Sequence, residues 1–199
     1  MPRENRICLP ELTYHTMSRC IEGKHLMSQD EMKDLMLFVL KMALEKYRFE
    51  LVFYTLMDNH FHFIIRTLNG GETISRIMQY IKSQFARRYN RMMKRIGPFW
   101  NERFKDNIME FSIDPAATFF TVLLYIAYNP VKSKIVKDPR DYLYSSIMCY
   151  VNDTYIAPVK ITLHEYYIKM GKAFTERRNK FLEYEEMYRK RILPATMFS

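Results

Sequence analysis

Two histidines, His60 and His62, are separated by one residue in the run Met57-Asp58-Asn59-His60-Phe61-His62-Phe63-Ile64-Ile65. The stretch is aromatic and β-branched, as strands are. Side chains alternate along a strand with period two, so both rings point to one face of the sheet. Neutral imidazole is the commonest metal ligand, and two rings side by side form half of a metal site. The same pair also reads as two strand histidines satisfied by ordinary hydrogen bonds. The motif alone leaves both readings open.

A second segment lies some sixty residues on, Tyr125-Ile126-Ala127-Tyr128-Asn129-Pro130. It closes a run from Pro115 to Asn129 that reads as a helix. Asp114 is a suitable N-cap and Pro115 suits the first turn. Phe119, Val122, Leu123 and Ile126 recur at helical spacing, and Pro130 marks the expected end. Tyr125 and Asn129 are four apart and so share one helical face, where they would present a hydroxyl and an amide together. The plainer alternative makes Tyr125 a core aromatic and Asn129 a C-terminal cap.

Five blocks in order carry a family resemblance. They are Tyr14-His15-Thr16-Met17-Ser18-Arg19, then His60-Phe61-His62, then Gly97-Pro98-Phe99-Trp100-Asn101-Glu102-Arg103-Phe104. Tyr125 to Lys132 follows, and Asp138-Pro139-Arg140-Asp141-Tyr142 with Ser145-Ser146 comes last. From about Arg6 to Ser146 the chain resembles the HUH-type transposases that use one tyrosine, the IS200-like enzymes. Within them it is most similar to the REP-associated tyrosine transposases. The resemblance implies that Tyr125 is the catalytic nucleophile and that His60, His62 and Asn129 hold a divalent metal, Mg2+ or Mn2+. It implies cleavage and rejoining of hairpin-flanked single-stranded DNA through a 5′-phosphotyrosine intermediate, by a monomer or a homodimer. Two departures stand out. Met57-Asp58-Asn59 replaces the frequent Met-Pro-Asn, and Asn129 stands where many insertion-sequence relatives have Gln.

Charge agrees with a polyanionic partner. The 199 residues carry a formal net charge of +9, which favours non-specific attraction to nucleic acid without specifying a fold. Lys82, Arg87, Arg88, Arg91, Lys94 and Arg95 form one cluster, with Tyr80, Gln84 and Tyr89 interleaved. Cations for phosphates beside rings for unstacked bases suit single-stranded DNA. A solvated helix face is the alternative. The cysteines, Cys8, Cys20 and Cys149, have neither zinc nor redox spacing, which suggests small core residues. No stretch approaches the roughly 20 apolar residues of a membrane span. Residues 1–6 contain no apolar leader region, so the default expectation is a cytoplasmic protein without membrane contact.

The elements that must position these residues read as follows. Glu11–Cys20 alternates as a strand. Ser28–Tyr47 is helical, with Ser28 as N-cap and Glu31 completing a capping box. Glu50–Met57 and His60–Thr67 form a hairpin about Asp58-Asn59. A helix capped by Thr73 runs to about Arg95, and Phe104–Phe111 is a fourth strand. The order β-α-β-β-α-β is the ferredoxin-like split arrangement, an α+β class. The resemblance adds a catalytic helix and places the histidines on an open sheet face. Residues 1–150 are expected to form the catalytic domain. Residues 151–199 form a helical C-terminal extension, with helices over Thr162–Met170 and Phe174–Arg191.

Two other function classes compete. A non-catalytic nucleic-acid-binding module on the same fold would use Phe61 and Phe63 as stacking rings. Those residues alternate with the histidines, however, and so face the opposite, helix-covered side. A histidine-dependent ribonuclease would give the tyrosine helix no role.

Overall fold

A computed structural model describes residues 8–192. The segment read for a leader and the Arg6 end of the resemblance lie outside the described residues. β1 (Thr13–Arg19), α1 (Asp30–Lys46), β2 (Phe49–Leu56), β3 (His60–Thr67), α2 (Ile74–Met92) and β4 (Lys105–Ile108) follow in the expected order. The strands form one antiparallel sheet in the order β2-β3-β1-β4, with β3 and β1 central.

Alternation along β3 divides its side chains between two cores. Phe61, Phe63 and Ile65 join Tyr14, Leu51 and Tyr54 beneath α1 and α2. Phe61 and Phe63 are both fully buried with rings 4.2 Å apart, so neither offers a stacking surface to a base. Ile64 points the other way, into a second core with Val52 and Phe53. Those two β2 neighbours share a face because the β2–β3 register shifts between Leu51 and Phe53. A bulge adds one residue and so breaks the alternation.

The second core is roofed by α3 (Pro115–Ala127), through Phe119, Leu123 and Ile126. Asp114 caps α3, its carboxylate accepting from the Ala117 amide at 2.9 Å. α3 stops at Ala127, not Asn129. Tyr128 makes a one-residue break, and α4 (Asn129–Lys132) begins immediately. Pro130 therefore sits in the first turn of a new helix, where its missing N–H costs nothing. Beyond it come α5 (Met148–Val151), α6 (Glu165–Ile168) and α7 (Phe174–Ile192). Tyr167, Met170, Phe181 and Tyr188 enter the same core as α3. The histidine face is thus half covered, where an open face was expected. His62 is only 1% exposed.

Other boundaries shift for local reasons. Helix α1 starts at Asp30 with Gln29 at the N-cap and no side-chain cap bond, so the Ser28 capping box does not form. Ser28 instead offers its carbonyl to Lys33 Nζ at 3.2 Å. The fourth strand is short, Lys105–Ile108, and Met109–Phe111 turns as a 3₁₀ segment. The expected Thr162–Met170 helix contracts to the single turn of α6. The block around Tyr142–Ser146 seals the outer edge of β2. Leu56 N donates to Tyr144 O at 2.9 Å, Ser146 N to Tyr54 O at 3.0 Å, and Tyr54 N to Ser146 Oγ at 2.9 Å. An edge strand so covered cannot pair with another chain. None of the helices among the described residues is long and apolar enough to cross a membrane.

Candidate active site

β3 delivers His60 and His62 to one face, with ring centroids 5.0 Å apart and planes at 90°. α3 brings the Tyr125 ring to 5.9 Å from that of His62, edge on. Tyr125 is 41% exposed, so its phenol reaches both the histidines and solvent. Asn129 follows across the break in the helix, its Nδ2 donating to the Tyr125 carbonyl at 3.1 Å. Burial lowers the His60 pKa, and the neighbouring Asn129 side chain partly opposes that shift. His60, His62, Tyr125 and Asn129 are therefore gathered at one place within one chain.

The loop before β3 fixes the orientation of His60. Asn59 Nδ2 donates to the Gly23 carbonyl at 3.1 Å, which turns its Oδ1 toward His60 Nδ1 at 2.6 Å. A carbonyl oxygen only accepts, so Nδ1 carries the proton and Nε2 is left to face the site. Asp58 occupies the position where relatives often have Pro. Its carboxylate meets the buried Lys33 Nζ at 2.9 Å, and its carbonyl accepts from the Met27 amide at 2.7 Å. An ion pair thus stiffens a turn that a proline ring would otherwise stiffen. Replacing Asp58 by Ala leaves Lys33 buried with the Ser28 carbonyl, a distant Asp30 and the face of the Tyr144 ring, without its close carboxylate. Breaking a buried pair costs up to 3–5 kcal/mol, and the partly exposed Asp58 moderates this to roughly 2 kcal/mol. A urea titration of the Asp58→Ala variant measures the loss directly.

Burial holds the imidazoles neutral. It lowers the pKa of His60, with nearby Arg19 adding to the effect, and lowers that of His62 well below the ordinary value, helped by His15 and His60. Neutral rings are the form that ligates a metal. Among the described residues no group of three or more His, Cys, Asp and Glu could hold a metal ion. The donor set at hand is two imidazoles and one amide, mixed N/O ligands compatible with Mg2+ or Mn2+. The fixed Nε2 of His60 beside the Asn129 side chain fits that set.

Two neighbours of the site lie within the quoted blocks but have no role assigned by the motifs. His15, on β1, shares a hydrogen bond between its Nε2 and His62 Nδ1 at 2.9 Å. It lies diagonally across the β1–β3 pairing from His62, since Met17 pairs with His62 and His15 with Ile64. Alternation in β1 puts His15 on a definite face, but the register that joins it to His62 is a tertiary fact. Lys132 stands over the Tyr125 ring, Nζ 4.7 Å from its centroid, and donates to Tyr188 Oη at 3.0 Å. Tyr188 belongs to α7, so the C-terminal extension reaches the tyrosine. Glu185, one turn earlier and 3% exposed, accepts from Tyr128 Oη at 2.7 Å and pairs with Arg140. Burial and the Glu185 carboxylate push the Tyr128 phenol far up in pKa.

A family model described as IS200-like transposase matches residues 8–129, from the start of the described chain through Asn129. That is more than half of the sequence. The chain belongs to the IS200-like transposase family. A curated protein of Haemophilus influenzae named as a REP-associated tyrosine transposase is 30% identical over 115 residues, 53% of this chain and 63% of the relative. The chain thus spans less than two thirds of that relative's length. A solved REP-associated tyrosine transposase, bound to a REP hairpin, superposes with a TM-score of 0.63 at 18% identity, covering 83% of this chain and 94% of its own. That likeness carries the fold. A crystal structure from Deinococcus radiodurans described as a transposase has a TM-score of 0.37 and 15% identity over 67% of this chain and 92% of its own.

In this family member the α2 cluster is not beside the histidines. Ile77, Met78, Ile81 and Phe85 seat α2 on the opposite sheet face. Of the two tyrosines read as base-stacking rings, Tyr89 is buried and Tyr80 half-buried. Tyr89 is 4% exposed and packs on Phe99, and Tyr80 meets Tyr47 edge on. Arg88 binds Gln84 and lies over Phe38 of α1. Lys82 donates to the Glu102 carbonyl at 2.6 Å, and Arg95 reaches Asn90 at 3.5 Å. Arg87, Arg91 and Lys94 are exposed. Beside them, Arg76, Gln79, Lys82, Trp100 and Arg103 help line a cleft of about 730 Å³. Trp100 is half-buried in that cleft, with its Nε1 donating to the Lys82 carbonyl at 3.0 Å.

Proposed function

We propose that this chain is a transposase-type DNA strand transferase of the REP-associated kind, cutting hairpin-flanked single-stranded DNA with Tyr125 as nucleophile. The observation that carries the reading is the exposed Tyr125 phenol lying edge on to His62, with Asn129 one turn away and its Nδ2 on the Tyr125 carbonyl. His60 Nε2, His62 and the Asn129 amide would hold a divalent cation, Mg2+ or Mn2+. When bound, that ion polarises the scissile phosphate and offsets charge on its non-bridging oxygens.

The residues of the chain supply the rest. A phenol with an ordinary pKa of about 10 is a weak nucleophile until positive charge or a base favours its anion. Lys132 Nζ lies 4.7 Å from the centre of the Tyr125 ring. Tyr125 Oη loses its proton and attacks phosphorus, the bond to the 3′ oxygen breaks, and that oxygen takes up a proton, so the products are a 5′-phosphotyrosine and a free 3′-hydroxyl. The phosphodiester energy is retained, so attack by a 3′-hydroxyl reverses the step and joins strands without ATP. All four residues come from one chain, so the reading holds for a monomer. The experiment is incubation with single-stranded hairpin DNA from the flanks of the chain's own gene. A covalent adduct in Mg2+ or Mn2+, absent with the same sequence as duplex, is the expected outcome.

DNA affinity rests on the basic surface in this reading. Neutralising the exposed Arg87, Arg91 and Lys94 together should weaken binding and flatten its salt dependence. Each lost phosphate contact removes roughly 0.7 from the log–log slope on single strands, so the triple variant should lose roughly 2. An unchanged slope in a fluorescence-anisotropy titration would place the DNA elsewhere, with the basic face of α7 next to test.

A further inference from the structure

We propose that His15 is a positioning residue for the catalytic site: its Nε2 accepts from His62 Nδ1–H and thereby holds His62 in the tautomer whose Nε2 is an unprotonated lone pair. The inference rests on the metal-holding role of His62 proposed above, and gives that site a supporting residue from another strand.

The geometry leaves two arrangements. His15 Nε2 and His62 Nδ1 are 2.9 Å apart, and the ring planes lie within 27° of each other, so the nitrogens meet near edge on. A neutral imidazole carries one proton, and one N–H must lie between the two rings. If His15 donates, His62 is protonated at Nε2 and presents a donor to the site, where it cannot ligate. If His62 donates, its Nε2 is a lone pair and His15 carries its proton on Nδ1.

The second arrangement also matches the other ligand. His60 has its Nδ1–H taken up by Asn59 Oδ1, itself anchored on the Gly23 carbonyl. Both histidines then have the same tautomer, each fixed by a partner outside the donor set. Such partners are common behind metal-bound histidines, and losing one weakens metal affinity about 10–100-fold. His15 reaches His62 from β1, and Asn59 reaches His60 from the hairpin loop. The orientation of the two rings is thus set before any substrate arrives.

The test uses the full chain and two readouts. Long-range ¹H–¹⁵N NMR of the histidine rings assigns the His62 tautomer without metal or DNA. The wild type should show His62 as Nδ1–H, and His15→Leu should shift it toward Nε2–H. Mn2+ binding, followed by the EPR signal of free Mn2+ without DNA, should weaken about 10–100-fold in His15→Leu. It should recover to within a few-fold of wild type in His15→Gln, whose amide oxygen can accept the same bond. A wild-type His62 protonated at Nε2 overturns the inference, as does equal Mn2+ affinity in wild type and His15→Leu. Should His15→Leu fail to fold, the wild-type tautomer and the His15→Gln affinity still decide. If His62 is Nδ1–H and responds to His15→Leu, but His62→Ala leaves Mn2+ binding intact, the metal reading fails while the tautomer assignment stands.

Discussion

Replacing Tyr125 by Phe abolishes the covalent protein–DNA adduct and leaves the fold and the affinity for hairpin DNA unchanged. The substitution removes only a hydroxyl from a ring that is 41% exposed, and changes of that kind away from the core stay within about 0.5 kcal/mol. The contacts of the ring with His62 and Lys132 survive. What is lost is the attacking oxygen, and the neighbouring phenol cannot replace it. Tyr128 is 2% exposed, its hydroxyl is committed to Glu185 at 2.7 Å, and its environment resists forming the phenolate. Strand cleavage should therefore fall below detection, with no residual adduct on a second tyrosine. Gel shift of the labelled strand and peptide mapping check this together. An adduct that persists and maps to Tyr128 would refute the assignment of Tyr125, because it would require the buried pair with Glu185 to open.

The parts of this site that were legible in the sequence are those set by local periodicity. His60 and His62 alternate with Phe61 and Phe63, and period two alone sends the rings to one face and the phenylalanines to the other core. Thr73 and Asp114 cap helices where their types and the following residues predict, accepting from Arg76 N and Ala117 N. The four-residue offset brought Tyr125 and Asn129 together even though the helix breaks between them at Tyr128, since one non-helical residue with φ −86° and ψ 2° barely turns the chain. What stayed hidden depends on contacts between distant segments. Nothing near His15 in the sequence indicates that β1 pairs with β3 in the register that meets His62. Lys132 and Tyr188 are more than fifty residues apart, and only the packing of α7 on α3 joins them. The basic helix misled for a related reason. Tyr80 and Tyr89 read as accessible rings among cations, yet an amphipathic helix must bury one face, and that face contains Tyr89. Ser28 and Glu31 had the spacing of a capping box, but the chain entered α1 through Gln29 and used the Ser28 carbonyl for Lys33.

Removing one imidazole from the donor set should stop chemistry without stopping binding. In His60→Ala or His62→Ala, affinity for the hairpin should remain close to wild type, because Arg87, Arg91 and Lys94, proposed to attract phosphate, are carried by the helix on the sheet face opposite the histidines. Cleavage in Mg2+ or Mn2+ should collapse. Lewis-acid stabilisation of the developing charge is worth several kcal/mol, and each 1.36 kcal/mol is tenfold in rate, so the loss should be at least about 10²–10³-fold. His62 is buried, so its alanine variant also leaves a small cavity and its stability must be followed in parallel. His60 is more accessible and gives the cleaner comparison. Chelation offers the same test with no substitution at all. Excess EDTA should eliminate the adduct, and restored Mn2+ should return it. If the strand is still cut at full rate in EDTA, the two histidines and Asn129 act on the phosphate through hydrogen bonds alone. The two neutral imidazoles would then have to donate protons to the phosphate oxygens, the reverse of the tautomer that Asn59 imposes on His60.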